Sequence, residues 1–279
     1  MKFTPVLGLC LCPLVVACVA DPTSGTDTSN IIGGVDASSP ALDAIGSVGN
    51  VDTDGVYQFF CTATLIAPKA VLTAKHCAAR GPTSGTYLEE EPVYFAVGAD
   101  TKAPKQVVQA VDVLLSPVAE GGFGKFGSDV AVYILAEPVQ GVEPMAYLDA
   151  HIKAEEVGEK LTAVGYGVQD RARTRGTRRA GTLTLQAVEG QPLHEIFPML
   201  EDLHAYLAQY ETEDWLYFNE YEIDDLYDLT LLEGLEAYAG MGPNDAQPCT
   251  GDSGGPLVAN IDGKLTVAAV VSGSFKGEA

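Results

Sequence analysis

The chain has 279 residues, 47% of them hydrophobic, a composition that excludes wholesale disorder and suits one large domain or two small ones. Thirty-eight Asp and Glu against sixteen Lys and Arg leave a net charge of −22. A field of that sign repels phosphate backbones, which argues against nucleic acid as a partner.

Residues 3–20 run apolar behind the single charge of Lys2, the pattern of an export signal. Leu14-Val15-Val16-Ala17-Cys18 resembles a bacterial lipobox, with Cys18 the lipidation position; a plain signal cut after Ala20 is the other reading. Residues 21–30 (DPTSGTDTSN) hold no large apolar group and read as a tether or propeptide. The expected organisation is a lipoprotein-type signal over 1–17, a tether over 18–30 and one domain over 31–279. The protein is expected outside the cytoplasm of a bacterium, secreted or held in the envelope by a lipid anchor, its one link to a membrane. Beyond the leader no apolar run reaches the roughly 18 residues of a spanning helix. Export permits disulfides, yet only Cys61, Cys77 and Cys249 of six cysteines lie outside the signal.

Strands are expected at 59–66, 70–73, 93–97, 107–115 and 130–135, then at 160–166, 182–188, 256–259 and 265–272. Short strands with turn signals between them indicate an all-β barrel or sandwich. Asp54-Gly55 reads as a hairpin turn, although Asp52 and Asp54 begin like a calcium loop that lacks its closing Glu. The segment 171–179 (RARTRGTRR) holds five of the six arginines and reads as a solvated surface loop. Residues 195–236 carry thirteen acids and no Lys or Arg. Ile196, Leu200, Leu203, Leu207 and Tyr210 recur there at helical steps, predicting an amphipathic helix. The aromatic run that follows (Trp215, Tyr217, Phe218, Tyr221, Tyr227) is expected to pack onto the body. His151, His194 and His204 have no metal-ligand spacing, and no metal is expected.

Chemistry concentrates in Gly251-Asp252-Ser253-Gly254-Gly255-Pro256. Glycines beside a Ser let the backbone approach a carbonyl and aim N–H groups at a developing oxyanion. A Ser needs a base in space, for which His76 is the candidate, and Asp129 ahead of an apolar strand is the candidate orienter of that base.

These segments, with Ile31-Ile32-Gly33-Gly34 and the chain order His76, Asp129, Ser253, resemble the trypsin/chymotrypsin family of serine endopeptidases. The resemblance implies two antiparallel six-stranded β-barrels, the second ending short of its last strand and closing helix, in a monomer acting on protein or peptide substrates without a cofactor. It implies Ser253 as nucleophile, His76 as base and acid, Asp129 as orienter, and the Gly251 and Ser253 N–H groups as the oxyanion hole. A Cys61–Cys77 disulfide would brace the His loop. Cleavage before Ile31 by an unidentified protease would free an amino group to pair with Asp252, making the uncut chain a zymogen. Gln247 falls at the pocket floor, with Asp245 as an alternative carboxylate there, and Ser272 and Ser274 lie along the pocket edge. Lys75 replaces a usual Ala and is expected to point to solvent, and Cys249 is expected to be a free thiol. The alternative function is a silent homologue that binds protein partners through the acidic aromatic insert.

Overall fold

A computed structural model describes residues 31, 34–79, 85–117, 128–170, 172–207, 227–240, 242 and 244–273. The leader and tether readings, Arg171, Tyr210, Trp215 to Tyr221 and Ser274 lie outside them.

After a two-residue strand β1 (Val35–Asp36), six strands close into an antiparallel barrel: β2 (Ile45–Val51), β3 (Tyr57–Ala67), β4 (Ala70–Thr73), β5 (Tyr94–Val97), β6 (Gln106–Leu115) and β7 (Ala131–Leu135), in the order β2-β3-β4-β7-β6-β5. In β7 the twofold period puts Ala131, Tyr133 and Leu135 inside, against Ile45, Val48, Leu65, Val71 and Phe95. Closure leaves the barrel no free edge. The β2–β3 hairpin turns as expected: Asp52 Oδ1 accepts from the N–H groups of Asp54 (3.0 Å) and Val56 (2.9 Å), and Gly55 takes φ 79°. The one-turn helix α1 (Tyr87–Glu90) starts at Thr86 with a reciprocal cap from Glu89.

The second sheet holds β8 (Ala146–Tyr147), β9 (Lys160–Gly165), β10 (Arg179–Ala187), β11 (Tyr238–Ala239), β12 (Pro256–Ile261) and β13 (Lys264–Val270). Its order is β1-β10-β9-β12-β13-β8, with β11 on β10. β8 runs parallel to β13 and covers part of its outer edge (Thr266 to Ala146, Val267 to Tyr147). Ile31, Leu161, Leu183, Leu185 and Leu257 form its core. The expected amphipathic helix is two pieces, α2 (Pro192–Ile196) and α3 (Leu200–Leu207), with Pro198 in the gap. Leu193, Phe197 and Leu203 from this region pack on Leu231 and Tyr238.

Side chains from the second half lock it to the barrel. The Tyr166 hydroxyl reaches Ile45 O (2.9 Å) and Gly98 O (2.5 Å). Arg178 corrects the expectation of a wholly solvated arginine loop. Its side chain is fully buried, donating to Ala37 O (2.8 Å), Leu42 O (2.7 Å) and Ile45 O (2.9 Å) and pairing with Asp43 (3.1 Å). Among the described residues no helix is long and apolar enough to cross a membrane.

Candidate active site

Strand pairing explains why His76 and Asp129 meet. Thr73, the last residue of β4, pairs with Ala131, the first of β7. The 3-10 turn Lys75–Cys77 that follows β4 therefore stands beside Asp129, which precedes β7. Asp129 accepts twice from His76: from the backbone N–H at Oδ1 (2.9 Å) and from Nδ1 at Oδ2 (2.7 Å). Donation from Nδ1 leaves Nε2 as the basic nitrogen of the neutral ring. Ser272, just beyond β13, donates its hydroxyl to the same Oδ2. Burial alone would push His76 down, but Coulombic attraction and the hydrogen bond to Asp129 leave it raised. Burial would likewise raise Asp129, and His76, Ser272 and the His76 N–H together hold it below its ordinary value.

The disulfide Cys61–Cys77 (Cα–Cα 6.2 Å) ties this turn to β3. Both sulfurs lie near the His76 ring, all three groups within 4.8 Å, but two disulfide sulfurs offer no thiolate to a metal.

The Ser253 turn docks on the same strands. Thr62 donates its N–H to Ser253 O (2.8 Å) and its hydroxyl to Gly251 O (2.8 Å), and it accepts the Tyr166 N–H (3.2 Å). Gly254 lies so close to Thr73 Oγ1, Thr62 O and Ala74 N that any Cβ would collide, and it and Gly251 take φ 79° and 100°. The N–H groups of Asp252, Gly254 and Gly255 all donate internally, to Cys249 O, Val271 O and Asp252 O. Those of Gly251 and Ser253 donate to no acceptor among the described residues, and neither does the Ser253 hydroxyl. Two unengaged amides flanking one another attract an anion.

Asp252 points the other way, into the protein. Its carboxylate accepts from Gly167 N–H (2.8 Å) and Cys249 N–H (2.8 Å), in a slot where Gly165 and Gly167 have no room for a Cβ. No cation lies within ion-pair distance among the described residues. Burial pushes the carboxyl up to about 7 against the pull of those two amides. Ile31 is buried in the second core, beside Gly181 and Ala246, and makes no contact of hydrogen-bond length with Asp252.

Three expectations are corrected. Lys75 does not reach solvent: it is 2% exposed, and its ammonium donates to Ser116 O (2.9 Å) because the turn aims it inward, toward the base of β6. Cys249 is not a free thiol in the uncleaved chain but is disulfide-bonded to a cysteine outside the described residues. Asp245 cannot serve the pocket, since Lys160 (3.0 Å), the Thr184 hydroxyl (2.8 Å) and the Thr184 N–H (2.9 Å) hold it at β10. Ser272 turns its hydroxyl to Asp129. Gln247 is half-buried on the approach to Cys249. Sequence reasoning missed Thr62 and Tyr166 altogether. A cavity of about 400 Å³ at the far end of β10, lined by Gln186, Glu189, Pro192 and Tyr238, includes none of the site residues.

Against this geometry, the sequence matches the family model of trypsin over residues 31–191, more than half the chain. The matched stretch contains His76 and Asp129, and Ser253 follows it. The chain belongs to the trypsin family of serine proteases, whose substrates are proteins or peptides.

Proposed function

We propose that the protein is an exported serine endopeptidase made as a zymogen. The observation that carries this reading is the hydrogen-bonded chain Ser272–Asp129–His76 on the strands where the Ser253 turn docks, with the N–H groups of Ser253 and Gly251 unengaged among the described residues. Ser253 Oγ attacks the scissile carbonyl while His76 Nε2 takes its proton. The carbonyl oxygen becomes an oxyanion between the Gly251 and Ser253 amides. His76 then gives the proton to the leaving amine, and water repeats the sequence on the acyl-enzyme. Asp129, held low by its three donors, stabilises the imidazolium formed twice per cycle. Cleavage before Ile31 would supply the ammonium that the buried Asp252 lacks. The neutral Gln247 suits uncharged side chains at the pocket floor.

Chain beginning at Ile31 is treated with a fluorophosphonate probe, with Ser253→Ala as control. Labelling of the unsubstituted protein alone, slowed by roughly a thousandfold in His76→Ala, supports the reading. A cooperatively folded protein that takes no label is instead a silent homologue. The export pattern of residues 1–20 supports an envelope or secreted location. Palmitate incorporation that disappears in Cys18→Ser separates the lipoprotein from a leader cut after Ala20.

A further inference from the structure

In a chain of net charge −22, Arg173 and Arg175 stand exposed and pair with no acid among the described residues. Asp170, the acid nearest in sequence, accepts the Thr174 N–H (2.9 Å) instead. Arg175 is not loose: its Cζ lies 5.3 Å from the centroid of the Phe59 ring. That ring is itself held in place. Its Cε2 edge lies 3.3 Å from where a Cβ on Gly251 would stand, its Cε1 edge 3.5 Å from the same point on Gly176, and Tyr166 tilts against it at 6.4 Å. One ring thus joins the amide corner at Gly251 to a guanidinium that pairs with no acid among the described residues.

The geometry also says on which side of the scissile bond this lies. His76 Nε2 hands its proton to the leaving amine, and Cys77 Sγ lies 3.7 Å from that nitrogen. Cys77 is bonded to Cys61, two residues along β3 from Phe59. The Phe59 side is therefore the leaving-group side. An extended substrate advances about 3.3 Å per residue, and on that side the residues just past the cut run toward Phe59.

We propose that Arg175, held on Phe59, is a specificity-determining residue that receives an acidic side chain two or three residues beyond the scissile bond, and that the substrates are peptides acidic there. This rests on the endopeptidase reading. The net charge repels acidic chains from most of the surface, so two exposed cations with no acid partner among the described residues mark the place that admits one. Guanidinium fixed on a ring also has less freedom to lose when a carboxylate binds.

The test is binding to the chain beginning at Ile31 with Ser253→Ala, the form freed by cleavage, which needs no turnover. Three fluorescent peptides, identical but for Glu, Gln or Lys at those two positions, are titrated by anisotropy at low and high salt. The Glu peptide is expected to bind roughly threefold to fivefold more tightly than the Gln peptide, the scale of an exposed charge pair, and salt should shrink that ratio. Adding Arg175→Gln should bring the ratio to one, and Arg175→Glu should turn it toward Lys. Arg173→Gln should keep it. Equal affinities for the three peptides, no saturable binding of the Glu peptide, or an equal loss in Arg173→Gln would overturn the proposal, the last by showing a diffuse field rather than a subsite. Absence of fluorophosphonate labelling in the unsubstituted protein strikes the endopeptidase reading alone. Where both hold, kcat/KM for the three peptides follows the same order.

Discussion

Lys75, His76 and Cys77 share one turn, and its geometry sends the first side chain inward, the second to Asp129 and the third to Cys61. A buried ammonium is costly unless something answers its charge. Here the Ser116 carbonyl accepts from it and the Asp129 carboxylate attracts it, while burial still draws Lys75 below its ordinary value. Lys75→Met keeps the volume and removes the charge. The Ser116 carbonyl is then left without its donor, so stability should fall by about 1–3 kcal/mol in urea titrations. Asp129 also loses the second cation it attracts, so its charge acts on His76 alone and His76 holds its proton to higher pH. The acidic limb of the kcat/KM profile should move upward in Lys75→Met and stay in place in Lys75→Arg. A limb that does not move in Lys75→Met would reduce Lys75 to a brace. Its role was illegible in the sequence for the same reason as those of Thr62 and Tyr166: the partner is remote, 41 residues away for Lys75, 189 from Thr62 to Gly251 and 104 from Tyr166 to Thr62. His76, Asp129 and Ser253 were legible because each sits in a local frame with its own demands. The tight turn around Ser253 needs glycine at 251 and 254, and that need is written into the hexamer itself.

Strands that alternate or run apolar were legible to within a few residues, as in β4, β6, β9 and β13. β2 was not, because Gly46 and Gly49 interrupt its apolar pattern. Those glycines are there for proximity: a Cβ at either would strike the carbonyl of a neighbouring strand, Ala96 O or Gln58 O. β8 and β11, two residues each, have no period to read, and Pro198 divides a helix that its hydrophobic spacing presents as continuous. At this scale Arg178 is the critical tie, since it fastens the 37–45 segment to the start of β10 through three main-chain carbonyls and Asp43. Arg178→Ala leaves the Ala37 and Leu42 carbonyls without their donor and takes one of two donors from Ile45 O. It should cost about 3–5 kcal/mol, against well under about 1 kcal/mol for the partly exposed Arg179→Ala. Parallel urea unfolding of the two variants checks this. A small effect at Arg178 would mean that the segment is held by its backbone contacts alone.

The barrel's core takes in Val164, Ala180, Val258, Val267 and Val270 of the second sheet, which has a further core of its own, and the Ser253 turn docks on β3, so an activating cleavage would act on the whole molecule through that junction. Asp252 is where it would act. In the uncut chain its carboxyl titrates near 7 rather than 3.8, because burial outweighs its two amide donors. Between those values the folded chain binds a proton that the unfolded chain has released. The Asp252 contribution is therefore fully present below about pH 4 and lost as pH rises through about 7, on the order of 4 kcal/mol in all. The net charge of −22 adds its own self-repulsion over part of the same range, so the slope alone proves nothing. Asp252→Asn in the uncut chain isolates the residue, and its stability should fall much less between about pH 5 and about pH 7.5. Cleavage before Ile31 should do more than flatten the slope. A new α-amino group, ordinarily titrating near pH 8, would hold Asp252 ionised and lower its pKa below the unfolded value. The contribution then changes sign, becoming present at neutral pH and lost as pH falls. Urea midpoints of uncut, cut and Asp252→Asn chains at the two pH values decide the matter. Equal pH slopes for cut and uncut protein would sink the ammonium–Asp252 switch while leaving Ser253, His76 and Asp129 where they stand.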